Sequence, residues 1–113
     1  MGLCSTVYDF PGQGSQYVGM GHYLYDKYKY ILTFFDECDE FLQYPISTLM
    51  FNGPRSELKK TIHAQPAIFI ATMAMWKVLE YHYGSNHFHY FLGHSLGEYT
   101  ALNIYVKYCE WML

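Results

Sequence analysis

The pentapeptide Gly93-His94-Ser95-Leu96-Gly97 constrains this chain more than any other stretch. The residues before it, His87 to Leu92, read as a buried strand, and a helix is predicted from near Leu96 onward. A serine between two glycines at a strand-to-helix junction is the pattern of a nucleophile elbow. The turn is tight, and a Cβ at either glycine would crowd the backbone. It lifts the Ser95 hydroxyl clear of the sheet and aims it at the next helix. There the Leu96 N–H and the helix dipole favour an oxyanion. The alternative reading of these five residues is a plain structural turn.

The rest of the chain fits the fold that such an elbow needs. Leu3 to Phe10 reads as a first strand, running into the glycine-punctuated loop Pro11-Gly12-Gln13-Gly14-Ser15-Gln16. From about Tyr28 to Tyr44 the apolar residues Ile31, Phe34, Phe35, Cys38, Phe41 and Leu42 recur at helical spacing, and Pro45 is expected to end that helix. Asp36, Glu37, Asp39 and Glu40 fall mostly on its other side and read as a solvated face, not a metal site. Asn52-Gly53-Pro54 marks a turn, and Ser56 to Lys60 has room for one short helix. Pro66 suits the first position of a helix, with His63 in the loop before it. Ala67, Ile68, Ile70, Ala71, Ala74, Met75, Val78 and Leu79 give that helix a face wide enough to be covered on more than one side, and Gly84 stops it. Strand, helices, strand, helix is an α/β order with a parallel sheet.

Composition narrows the function. The 113 residues allow one domain at most; 51% are apolar and 15% charged, which describes a packed chain. A formal charge of −3 with no basic block argues against nucleic-acid binding, and no apolar run is long enough to span a membrane. Cys4, Cys38 and Cys109 form no metal or disulfide pattern and read as free thiols in a reducing compartment. His87 and His89 share a strand face but have no third ligand at metal spacing.

The Pro11–Gln16 loop is neither a dinucleotide fingerprint nor a Walker loop. If it leaves the same sheet edge as the elbow, the backbone N–H of Gln13 is the natural second donor of an oxyanion hole. A plain turn before a helix is the other reading of this loop.

Three blocks together carry a family resemblance. Phe10-Pro-Gly-Gln-Gly-Ser-Gln16 with Gly19-Met20-Gly21, then His63-Ala-Gln-Pro-Ala-Ile-Phe69, then Gly93-His-Ser-Leu-Gly-Glu-Tyr-Thr-Ala-Leu102 closely resemble the malonyl-CoA:acyl-carrier-protein transacylase family. The nearest likeness is to the type II enzymes of bacteria and mitochondria. The resemblance implies the α/β-hydrolase-like parallel-sheet subdomain of the acyltransferase fold. Residues 1–113 would form its incomplete N-terminal part, with the ferredoxin-like subdomain absent. The likeness is strongest over 7–102, and 103–113 diverge.

By this resemblance, Ser95 takes malonyl from coenzyme A as an ester. It passes the group to the phosphopantetheine thiol of acyl carrier protein, for fatty-acid biosynthesis. Gln13 and Leu96 supply the oxyanion N–H groups, His94 lines the site and Gln65 sits near the acyl pocket. No cofactor or metal is implied. The family's histidine base, its carboxylate-binding arginine and a distal glutamine lie beyond the last block, and Arg55 is the only arginine here. The chain by itself is therefore expected to be weakly active or inactive. The alternatives are an acyltransferase-domain fragment of a polyketide or fatty-acid synthase, a serine esterase sharing the elbow, and a non-catalytic remnant. The likeness points to mitochondria, or to the cytoplasm for a bacterial chain.

Overall fold

The computed structural model describes residues 7–83 and 90–93. Two short strands, β1 (Val7–Phe10) and β2 (Tyr90–Gly93), pair in parallel. Val7 stands opposite Tyr90 and Phe10 opposite Gly93. A parallel pair cannot be closed by a hairpin and needs a long crossover. Here the crossover carries five helices among the described residues: α1 (His22–Lys27), α2 (Lys29–Leu42), α3 (Ile46–Asn52), α4 (Arg55–Leu58) and α5 (Thr61–Tyr83). The order of strand, helices and strand is as expected. Gly84, His87 and His89, Cys4 and Cys109, and the helix expected after Ser95 lie outside the described residues.

The core forms where α2, α3 and α4 meet α5. Ile31 and Phe35 of α2, Ile46 and Met50 of α3, Leu58 of α4 and Ile68 of α5 are the largest fully buried side chains. Each contributes about 1.5–3 kcal/mol by leaving water. Ala64, Ala67 and Ala74 are fully buried too, and their small side chains let neighbouring helices approach α5 closely. Buried residues run right round this helix, from Ala67 and Ile68 through Ile70, Thr72 and Met73 to Trp76. That is the coverage on more than one side that its wide apolar face implied.

Several boundaries differ from the sequence reading, each for a physical reason. Helix α2 ends at Leu42, before Pro45, because Gln43 turns left-handed at φ 52° and returns its N–H to the carbonyls of Asp39 and Glu40. Pro45 instead heads α3. A proline there offers no side-chain cap, and Asp39 supplies one from α2. Its carboxylate accepts the Ser47 N–H at 2.9 Å and the Ser47 hydroxyl as well. Asp39 is thus half-buried and engaged, while Asp36, Glu37 and Glu40 are exposed as expected. The apolar face of α2 is not buried to its end, since Phe41 is 87% exposed.

The largest correction concerns α5, which starts at Thr61 and holds Pro66 inside it. His63 is therefore helical, not in a loop. Lys60 opens the helix, its carbonyl accepting the N–H groups of His63 and Ala64 at 2.9 and 2.7 Å. Pro66 has no N–H for the Ile62 carbonyl. Ile62 is 76% exposed, so water can serve that group, while buried Ala64 and Ala67 anchor the turns on either side. Packing overrides the local preference of the proline.

Aromatic rings fill much of the space beside this core. Phe51 lies 5.3 Å from Phe35 and 5.0 Å from Tyr25, and His22 stacks on it at 4.9 Å. A Cβ on Gly21 would come within 3.0 Å of the Phe35 ring. Phe35→Ala is therefore expected to cost about 3–5 kcal/mol in urea unfolding. A loss below about 1 kcal/mol would show that the aromatic cluster does not hold the helices together.

Candidate active site

The parallel register sets where the chain leaves each strand. Phe10 and Gly93 are the last residues of their strands and stand opposite each other. The chain therefore leaves β1 toward Gln13, and leaves β2 toward Ser95, at the same edge of the sheet. The carboxyl ends of parallel strands are where α/β folds collect their ligands.

After β1, residues Gly12 to Ser15 make a turn closed by the Ser15 N–H on the Gly12 carbonyl at 3.3 Å. The Ser15 hydroxyl reinforces it, donating to the same carbonyl at 2.7 Å. Gly14 takes φ 106° at the third position, where a type II turn needs a residue with positive φ. Its N–H donates to the Gln16 side chain at 2.8 Å. Gln13 is thereby held at the corner of the turn. Among the described residues, its own N–H donates to no backbone carbonyl.

The Gln13 side chain reaches across to α5. Its Nε2 donates to Thr61 Oγ1 at 2.9 Å, and Gln65 Nε2 donates to Gln13 Oε1 at 3.2 Å. Thr61 and Gln65 are four residues apart and share one face of the helix. Two residues singled out from the sequence, Gln13 and Gln65, are therefore in direct contact. Gln65 also lines an open, mostly apolar cavity of about 490 Å³ with Phe41, Leu42, Pro66 and Phe69. Thr61 was not anticipated. With the helix expected to begin at Pro66, no periodicity placed residue 61 on the Gln65 face. His94, Ser95 and Leu96 lie outside the described residues.

Other groups with reactive chemistry are engaged elsewhere. His63, two residues from Thr61 and so on another face of α5, stacks on Tyr44 at 4.9 Å and lies 3.7 Å from Glu57. The Lys60 ammonium bonded to Glu57 at 2.8 Å holds that carboxyl below its ordinary value. His82 meets the Tyr28 hydroxyl at 3.2 Å, and His22 pairs with Asp26. Burial pushes the Cys38 thiol up, with Asp39 and Glu37 adding to the effect, which disfavours the thiolate. Among the described residues, no three His, Cys, Asp or Glu side chains come together as a metal site, and no helix is long and apolar enough to cross a membrane.

Residues 7–107 match the model of the acyl transferase domain. The chain belongs to that family. It is 47% identical over 101 residues to the malonyl CoA-acyl carrier protein transacylase of Bacillus subtilis strain 168, a match covering 88% of this chain and 31% of the relative. The malonyl CoA-acyl carrier protein transacylase of Clostridium perfringens superposes with a TM-score of 0.78 at 37% identity, over 88% of this chain and 31% of that one. A malonyl-transacylase solved in complex with a type II PKS acyl-carrier protein gives 0.80 at 38% identity, over 88% and 32%. The chain thus spans about a third of the length of the acyl transferases it matches.

The Gly14 turn can be tested alone. A Cβ there meets nothing within 4 Å, so the cost of Gly14→Ala is purely the strained φ. It is expected to destabilise the chain by about 1–2 kcal/mol in urea unfolding and to shift the Gln13 amide resonance. An unchanged resonance would mean that the turn does not position Gln13.

Proposed function

We propose that this chain carries the nucleophile and oxyanion portion of a malonyl-CoA:acyl-carrier-protein transacylase site. The observation that carries the proposal is the Phe10–Gly93 pairing, which starts the Gln13 loop and the Ser95 segment from one sheet edge. We take β1 and β2 as strands of the α/β-hydrolase-like parallel sheet on which the acyltransferase chemistry is built.

In the first half-reaction, Ser95 Oγ attacks the thioester carbonyl of malonyl-CoA. The carbonyl oxygen becomes an oxyanion, held by the backbone N–H groups of Gln13 and Leu96. Collapse breaks the C–S bond, coenzyme A leaves as its thiol, and malonyl remains as an ester on Ser95. In the second half, the phosphopantetheine thiol of acyl carrier protein attacks that ester through the same oxyanion site and frees the serine. Two covalent steps give ping-pong kinetics. The serine proton needs a base, which the resemblance assigns to the part of the family that this chain does not span. His94 and Gln65 line the site, Gln65 also lining the apolar cavity beside α2. Two findings on relatives support the partner: the Bacillus subtilis relative is named for both substrates, and one neighbour was solved with its acyl-carrier protein. That neighbour's type II PKS partner also supports a second reading, the same transfer serving polyketide synthesis.

The test is a chimaera in which residues 7–107 replace the matched segment of the Bacillus subtilis relative. It is expected to malonylate holo-carrier protein from malonyl-CoA, and Ser95→Ala is expected to reduce the rate about a thousandfold or more. A folded chimaera that transfers nothing, or transfer that survives Ser95→Ala, would contradict the assignment.

A further inference from the structure

We propose that Thr61 is a positioning residue for the oxyanion donor, its hydroxyl anchoring the Gln13 side chain and so fixing the Gln13 backbone N–H. This rests on the reading of Gln13 as an oxyanion donor. The eleven residues between β1 and α1, Pro11 to Gly21, would otherwise be a long surface loop. Met20 packs into the core, and among the described residues hydrogen bonds tie the segment to the helices near each of its ends. Near the far end, the Gly19 N–H donates to the Met50 carbonyl at 2.7 Å. Near the strand end, the tie to the helical layer is the Gln13 side chain, bonded to Thr61 at 2.9 Å and accepting from Gln65 at 3.2 Å. The turn beneath Gln13 is closed within the loop itself, by the Ser15 N–H at 3.3 Å and the Ser15 hydroxyl at 2.7 Å, so it shapes the corner without fixing it to the helices.

Thr61 suits the task better than Gln65. It is the shorter contact, at 2.9 against 3.2 Å, on a stiff β-branched side chain in the first turn of a 23-residue helix. Anchored there, Gln13 takes its position from the buried core through α5. An oxyanion donor needs that rigidity, because displacement by about 1 Å lowers the rate steeply.

The experiment uses the 113-residue chain with Thr61→Val, Thr61→Ala and Thr61→Ser. Thr61 is exposed, so none of these disturbs the core, and thermal melting checks that. Nitrogen relaxation of the Gln13 side-chain and backbone amides reads the anchor directly. Valine and alanine are expected to make both mobile, and serine to keep them ordered. In parallel, with the same substitutions in the chimaera with the Bacillus subtilis relative, the initial rate of malonyl ester formation on Ser95 is expected to fall about tenfold with valine and recover with serine, at unchanged half-saturation by malonyl-CoA. Gln13 amides that stay ordered in Thr61→Val overturn the proposal. So does a rate unchanged while they become mobile. A parent chimaera that forms no ester counts against malonyl transfer, and the Gln13 relaxation then decides on Thr61 by itself.

Discussion

Parallel pairing of β1 and β2 is the constraint on which the rest of this structure depends. Two strands of four residues contribute little stability by themselves. Their consequence is topological. Because they run the same way, everything between Phe10 and Tyr90 must travel back along the sheet, and that return path is the helical layer. Because Phe10 ends opposite Gly93, the two segments with candidate oxyanion donors emerge side by side. Antiparallel pairing would have sent Gln13 and Ser95 to opposite ends.

The helical layer has a second duty beyond closing the crossover. Its α5 helix is fixed all round by buried side chains, from Ala64 at its start to Val78. Thr61 and Gln65 project from the same rigid cylinder to the Gln13 amide. The loop after β1 is exposed, yet its corner is referenced to a helix anchored in the core. Catalysis through oxyanion donors depends on such preorganisation, since donors that must be ordered during the reaction lose much of their benefit.

How far the sequence could be read follows from whether a signal was local. The strand before the elbow, the helix around Ile31 and Phe35, and the glycine turn at Gln13 all declare themselves within a few residues. Helix α1 does not: it has six residues, no side-chain cap and a left-handed glycine at its start, and it packs its one buried residue, Leu24, against later helices. Helix α3 is capped by Asp39, eight residues upstream, so its start was illegible without the fold. Pro66 gave a strong local signal that was misleading, because packing around Ala64 carries α5 one turn earlier. Gln13 and Gln65 were each legible as site residues, but their contact spans 52 positions and the part played by Thr61 appears only once α5 begins at Thr61. The elbow itself, Ser95 with His94 and Leu96, rests on its pattern, on the place of Gly93 at the end of β2 and on the family.

The central claim is that Ser95 is a nucleophile toward malonyl thioesters, and intact-mass spectrometry tests it most directly. The chimaera carrying residues 7–107 within the Bacillus subtilis relative, and its Ser95→Ala variant, would each be incubated with malonyl-CoA at neutral pH. The account predicts one malonyl group per chimaera, absent from the variant. A folded chimaera that acquires none, or an adduct that persists in Ser95→Ala, would contradict it.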